Sequence, residues 1–300
     1  MKTKYLLTNI YANHIRHPPL KLSLEHDGWE IISLLKDEHC LIDYGAPVDC
    51  LFVFNYPMNY TIKQHILSYK KKGIPLLVMM DDPLAFFDEN INPFIEDILL
   101  VADRVFTSTD NMLPVYQSLG VKAEVMVGLA NPQFDCPMPC DEENMQYDWG
   151  FIGTLTPQRF RFFWQLKKLL PDLKYSIVTQ GLDHQGVINL IRKTRVNVVY
   201  GNYSDITDFK SNATTFRAWE FPYANAFILH DYRPQLFHYF REAESIVTFQ
   251  SVEECAQLIQ YYLDKPLERA TIARNARQII GQFPMTEVMP RLFNSLLNLR

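Results

Sequence analysis

Short apolar runs rich in β-branched and aromatic residues alternate along this chain with longer segments of helical period, and the alternation runs through twice. In the first half, period and composition predict strands at Lys4–Ile10, Trp29–Leu34, Cys50–Phe54, Pro75–Met80, Arg104–Ser108 and Ala123–Val127. Helices fall between them: a short one ending at Gly28, Asn59–Lys72 stopped by Gly73, Pro93–Val101, and Asn111–Leu119 stopped by Gly120, glycine being the usual helix terminator. From Asn131 to Tyr147 the texture changes to three prolines and four acidic residues with little periodicity, which reads as a linker. The second half restarts with strands at Tyr147–Ile152, Tyr175–Val178, Val196–Tyr200 and Ala226–His230. Helical patterns lie at Arg159–Leu169, His184–Thr194, from near Thr215, and at Pro234–Phe240, Val252–Lys265, Leu267–Ile280 and Thr286–Asn298. Strands alternating with helices predict the α/β class, with parallel sheets flanked by helices. The expected organisation is an N-terminal domain over 1–130, a linker over 131–146, a C-terminal domain over 147–282 and a last segment over 283–300.

Composition narrows this picture. At about 100–200 residues per domain, 300 residues predict two domains. A hydrophobic fraction of 48% and a charged fraction of 21% are those of a packed globular protein. The net charge of −5 weighs against a duplex nucleic-acid partner, which is held mainly by basic patches on phosphate. Apolar runs stay short of the ~18–20 residues needed to span a bilayer, and the chain turns polar at Asn9 without a small-residue cleavage site, so a transmembrane or secretory reading is not expected. Five scattered cysteines make no disulfide framework, and the expected compartment is the cytoplasm. Cys136 and Cys140 flank Pro-Met-Pro without a matching ligand pair, so they read as ordinary thiols and no metal is expected.

Ligands of open α/β sheets sit beyond the carboxyl ends of the strands, so the residues just after each strand are the candidates for chemistry. Gly153-Thr154-Leu-Thr-Pro-Gln-Arg159 follows the first strand of the second domain and opens a helix. Glycine lets backbone amides approach a ligand, and Arg159 brings a forked donor suited to phosphate. The competing reading is a plain turn with a surface arginine. Arg217 and Glu220 lie three apart and share a helix face; spacing alone reads as an intrahelical ion pair. Their place before the apolar run Ala226–Leu229 gives a second reading, with the carboxylate on ribose hydroxyls and the arginine on a pyrophosphate. Thr214 and Thr215 add hydroxyl donors or cap the helix. Gly181, at the turn after the second strand of this domain, and Asn202, in the polar loop 201–214, complete the candidate donor set. In the first domain Asp81, Asp82 and His14 follow strands and are the candidate catalytic groups, with a turn made by Asp before Pro and a solvated loop histidine as the competing readings. His184, His230 and His238 read as helix-surface or core residues. Phe160, Phe162, Phe163 and Trp164 crowd one helix and read as core and interdomain packing.

The stretch Thr215-Phe-Arg-Ala-Trp-Glu-Phe-Pro-Tyr-Ala-Asn-Ala-Phe-Ile-Leu-His-Asp231 resembles the signature of the spore-maturation (CgeB-like) glycosyltransferases: Arg-x-x-Glu, a small-residue turn, an apolar strand and an Asp. The likeness runs on through Leu236–Phe240, Ser245–Phe249, Ser251–Glu254, Tyr261-Tyr-Leu and Glu268–Arg274, and takes in Phe151–Arg159, Met80–Pro83 and Asp103–Thr109. It implies the GT-B architecture, two Rossmann-like domains with a deep interdomain cleft, the N-terminal one on the acceptor side, the C-terminal one binding the nucleotide sugar, and the last helix crossing back to the first domain. It implies transfer of a sugar from a nucleoside-diphosphate sugar, UDP-linked by expectation, without a cofactor or required metal. In this likeness Glu220 matches the glutamate that holds the donor ribose, and Arg159 and Arg217 match basic positions near the pyrophosphate. Related retaining transferases carry a second Glu eight residues before this one; here Asn212 stands there, which leaves the stereochemical outcome open. The acceptor, whether glycan, lipid-linked species or protein, is not specified by the sequence, and neither are peripheral membrane contact through the first domain and the oligomeric state. A nucleotide-sugar epimerase, a catalytically inactive GT-B scaffold or partner subunit, and a DNA-modifying glucosyltransferase with a local basic groove are the alternatives.

Overall fold

The computed structural model describes residues 3–10, 17–34, 47–54, 60–80, 92–126, 128–201 and 214–298. It divides into two compact units, one made of 1–127 with 285–300, the other of 128–284.

The first unit is built on a six-stranded parallel sheet: β1 (Lys4–Thr8), β2 (Trp29–Ser33), β3 (Cys50–Phe54), β4 (Leu76–Met80), β5 (Arg104–Thr107) and β6 (Ala123–Val125), in the order β2-β1-β3-β4-β5-β6. All five residues of β3 are buried, as expected of a parallel strand covered on both faces. Helices α1 (His17–Glu25), α2 (Tyr60–Lys71), α3 (Asn92–Val101) and α4 (Leu113–Ser118) make the connections. The helix expected over Asn111–Leu119 is broken into a 3-10 turn, Asp110–Met112, followed by α4; Pro114, which lacks an N–H, is tolerated only in a helix's first turn, and the α-helix restarts there. The last helix of the chain, α10 (Met285–Leu297), belongs to this unit. Phe293 sits 5.7 Å from Trp29 and 5.5 Å from Phe52, and Asn294 bonds Lys4 at 2.8 Å and Asp27 at 2.5 Å.

The second unit holds a five-stranded parallel sheet of β7 (Tyr147–Ile152), β8 (Tyr175–Val178), β9 (Thr194–Val199), β10 (Ile228–Asp231) and β11 (Val247–Phe249), ordered β11-β10-β9-β7-β8. Helices α5 (Pro157–Leu169), α6 (His184–Arg192), α7 (Arg217–Tyr223), α8 (Val252–Leu263) and α9 (Pro266–Ile280) surround it. The stretch Pro234–Phe240 forms a 3-10 helix, Pro234–His238, rather than an α-helix. Segment 131–146 is tied to this unit by Arg192, which donates to the carbonyls of Met138 (2.8 Å) and Pro139 (3.0 Å), and by Arg269, paired with Glu142.

The core is aromatic: Phe163 lies 4.3 Å from Phe151, and Phe162 stacks on Tyr200 at 4.2 Å. The packing expected of the four aromatics on α5 is realised by half of them. Phe162 and Phe163 face the core, whereas Phe160 and Trp164, four apart on the opposite side, are 56% and 50% exposed.

Candidate functional site

Strand order reverses direction between β7 and β9 in the second sheet, which makes the carboxyl ends of these two strands the switch point where doubly wound folds bind ligands. The turn leaving β7 passes through Gly153 at φ +154°, a region that L side chains avoid, and a Cβ there would come within 3.1 Å of the Phe151 ring. Thr156 caps α5 by accepting from the Arg159 amide at 3.3 Å, which fixes Arg159 on the helix's first turn. The Arg159 guanidinium then spans the switch point. Its Nη1 donates to the Thr154 carbonyl after β7 (2.8 Å), its Nε donates to the Tyr200 carbonyl after β9 (2.9 Å), and its plane lies 5.2 Å from the Phe151 ring centre.

Arg217, at the start of α7, reaches the same turn from the other side, its Nε donating to the Ile152 carbonyl at 2.9 Å. Its Nη1 donates to Glu220 Oε2 at 3.3 Å, so the intrahelical ion pair and the approach to the glycine turn coexist. Glu220 is 7% exposed. The structure therefore brings Gly153, Thr154, Arg159, Arg217 and Glu220 together. Carbonyl contacts fix the direction of both guanidiniums without cancelling their charge, that of Arg217 being shared with Glu220, and this suits the place for an anion. Thr214 and Thr215 do not cap α7, whose N-cap is Phe216 without a side-chain bond. Instead Thr214 Oγ1 accepts from Trp219 Nε1 at 3.4 Å, and Thr215 Oγ1 lies 3.4 Å from His230 Nε2. Gly181, at φ +89°, occupies the turn after β8 with open space around it. Asp81, Asp82, His14, Asn202 and Asn212 lie outside the described residues.

A further cluster at this strand edge joins Asp231, which closes the signature stretch, to His230 and to Arg233, and sequence reasoning gave it no role. His230 and Asp231 end β10 and are buried together with Arg233. Asp231 accepts from Arg233 Nε (2.9 Å) and from its Nη2, from the Gly201 amide (3.1 Å), and lies 3.0 Å from His230 Nδ1. Burial works to raise the Asp231 carboxyl, but the hydrogen bond and charge of His230 and the charge of Arg233 outweigh it and hold it below the ordinary carboxylate range. A Cβ at Gly201 would stand 2.6 Å from Arg233 Nη2, so a larger residue there would have to push the guanidinium aside. The sequence signal was available: Asp231 and Arg233, two apart at a strand end, point to one side.

Cys140 donates to the Asn225 carbonyl at 3.2 Å, and burial pushes its thiol up to about 11, Arg192 offsetting part of the rise. It stays protonated at neutral pH, as an ordinary thiol does. Among the described residues no group of three or more His, Cys, Asp or Glu side chains gathers as a metal site, and no helix is long and apolar enough to cross a membrane.

Comparison with known proteins places this geometry. Residues 159–283, which begin at Arg159 and include Arg217, Glu220 and Asp231, match the family model described as Glycosyl transferase-like. No curated protein sequence matches the chain. Solved structures share its fold end to end. Sucrose-phosphate synthase from Thermosynechococcus elongatus is 12% identical over 100% of both chains, with a TM-score of 0.66. An α-glucosyltransferase in complex with UDP and a 13-mer DNA containing an HMU base is 10% identical over 99% of this chain and 100% of that one, with a TM-score of 0.69. Anabaena HepE in complex with UDP-glucose is 10% identical over 100% of both, with a TM-score of 0.65. The class so defined is GT-B: two Rossmann-like α/β units, the second carrying a glycosyltransferase-type domain.

Proposed function

We propose that this chain transfers a sugar from a UDP-linked nucleoside-diphosphate donor to an acceptor hydroxyl, without a required metal and in the cytoplasm, as a relative of the CgeB-like transferases. The observation that carries this reading is the meeting of two guanidiniums on the turn after β7: Arg159 across the switch point and Arg217 on the Ile152 carbonyl. In transfer, the bond from the anomeric carbon to the diphosphate oxygen breaks, a bond to the acceptor oxygen forms, and the acceptor proton leaves to a base. Charge develops on the departing diphosphate, and Arg159 and Arg217 are positioned to neutralise it. Gly153 and Thr154 let the backbone approach the phosphates, and Glu220 accepts from the ribose hydroxyls. Gly181, Asn202, Thr214 and Thr215 complete the donor contacts in this reading, and Asp81, Asp82 or His14 takes the acceptor proton. Neighbours of the same fold solved with UDP or UDP-glucose support the choice of nucleotide. The acceptor is a glycan, a lipid-linked species or a protein.

The test is a thermal-shift series with UDP, GDP, ADP and dTDP, with and without EDTA. A ligand at 100 times its Kd stabilises by about 2.7 kcal/mol. UDP is expected to raise the wild-type melting temperature irrespective of EDTA, and Arg217→Ala and Glu220→Ala to lose the shift. A wild type that none of the four nucleotides stabilises overturns the proposal.

A further inference from the structure

The amino ends of the same strands, on the opposite edge of the second sheet, carry a cavity of about 360 Å³. Arg195, second residue of β9, and Phe227, just before β10, line it. Strands of four to six residues rising ~3.3 Å each put this edge about 13–20 Å from the turn at Gly153. The cavity is therefore separate from the proposed donor site.

The cavity is written into α9. Ala270, Ala273, Arg274, Arg277, Gln278 and Gly281 recur at helical spacing and line it together. Small residues on this stripe leave the space open, and arginines one turn apart supply charge. Arg195 and Arg269 bring the lining to four arginines, three of which are paired with the carboxylates Glu142, Asp148 and Asp135. Three of the four are held in place: Arg269 by Glu142 and the Leu263 carbonyl (3.0 Å), Arg195 by Asp148 (3.0 Å), and Arg277 by Asp135 with its guanidinium 4.5 Å from the Tyr223 ring centre. Arg274 is exposed and makes no hydrogen bond or ion pair among the described residues. Beside these three carboxylate-paired arginines, the Arg274 guanidinium is the one with donors open to take an oxyanion bidentately. Pro137, Pro139 and Phe227 give the cavity an apolar wall.

We propose that this cavity binds a small phosphorylated metabolite, its phosphate on Arg274 and Arg277 and its organic part against the proline wall. Calorimetric titration of the full chain with glucose 6-phosphate and with inorganic phosphate, at constant ionic strength, tests it. Glucose 6-phosphate is expected to bind saturably and about tenfold more tightly than inorganic phosphate. Arg274→Ala is expected to weaken it by about tenfold or more. Ala270→Phe, at an exposed helix position on the cavity rim, is expected to block binding, while Arg217→Ala, at the other edge, retains it. Binding that survives both Arg274→Ala and Ala270→Phe, or that disappears with Arg217→Ala, overturns the assignment. So does the absence of saturable binding, and equal affinity for the two probes overturns the organic half.

Discussion

Replacing Asp231 by Asn changes one atom of a buried carboxylate and turns an acceptor towards donors. In the wild type this side chain takes two bonds from Arg233, one from the Gly201 amide and a contact from His230. The new amide keeps an oxygen for Gly201 but presents an NH2 to the Arg233 fork, so that two accepted bonds become a donor facing donors. Removing one partner of a buried pair costs about 3–5 kcal/mol; the retained Gly201 bond puts Asp231→Asn at the lower end, about 3 kcal/mol. For a unit of this size that lowers the melting temperature by about 6–12 °C. Urea unfolding followed by tryptophan fluorescence reads it directly, since Trp149, Trp164 and Trp219 all lie in the second unit. Arg233→Met added to Asp231→Asn removes the donor that faces the new NH2, so the double variant should be more stable than the sum of the single costs by about 2 kcal/mol or more. A single cost below about 1 kcal/mol, or strictly additive costs, refutes the account. The pH dependence has a fixed sign. The folded carboxyl titrates below its unfolded value of about 3.9, so its contribution is complete above that value and is lost as pH falls through the folded one. The stability gap between wild type and Asp231→Asn therefore closes on acidification.

Gly128→Ala places a methyl 2.2 Å from the Trp219 ring, backbone against a buried indole, and is expected to cost about 1–3 kcal/mol in the same urea assay. Trp164→Ser removes a half-exposed ring whose one described cation–π contact is with Lys168, 3.5 Å from the ring centre, so its cost is expected to stay under about 1 kcal/mol while the solvent-exposed part of the fluorescence disappears.

The first sheet and four strands of the second were legible because their signals are local; β11, three residues long, was reached only through the family likeness at Ser245–Phe249. The β3 run Cys-Leu-Phe-Val-Phe has no polar position and reads as a strand buried on both faces, which it is. Gly153 followed by Arg159 could be read from the glycine and the helix start, and Arg217 with Glu220 from their spacing. What the chain does not spell out is that Arg159 closes on the Tyr200 carbonyl, a bond between residues 41 apart that depends on which strand lies beside β7. Pairing of Asp231 with Gly201 is hidden for the same reason. The split on α5 between the buried Phe162 and Phe163 and the exposed Phe160 and Trp164 follows from helix phase, which crowding by four aromatics obscures.

The placement of α10 has a consequence for biosynthesis. Trp29 and Phe52 belong to the first part of the chain to be made, yet Phe293, which covers them, follows the whole of 128–284. At about 5–20 residues per second, translation of the intervening unit leaves that aromatic face uncovered for on the order of 10–30 s. Throughout that interval Trp29 and Phe52 are without the Phe293 ring that packs on them in the finished fold.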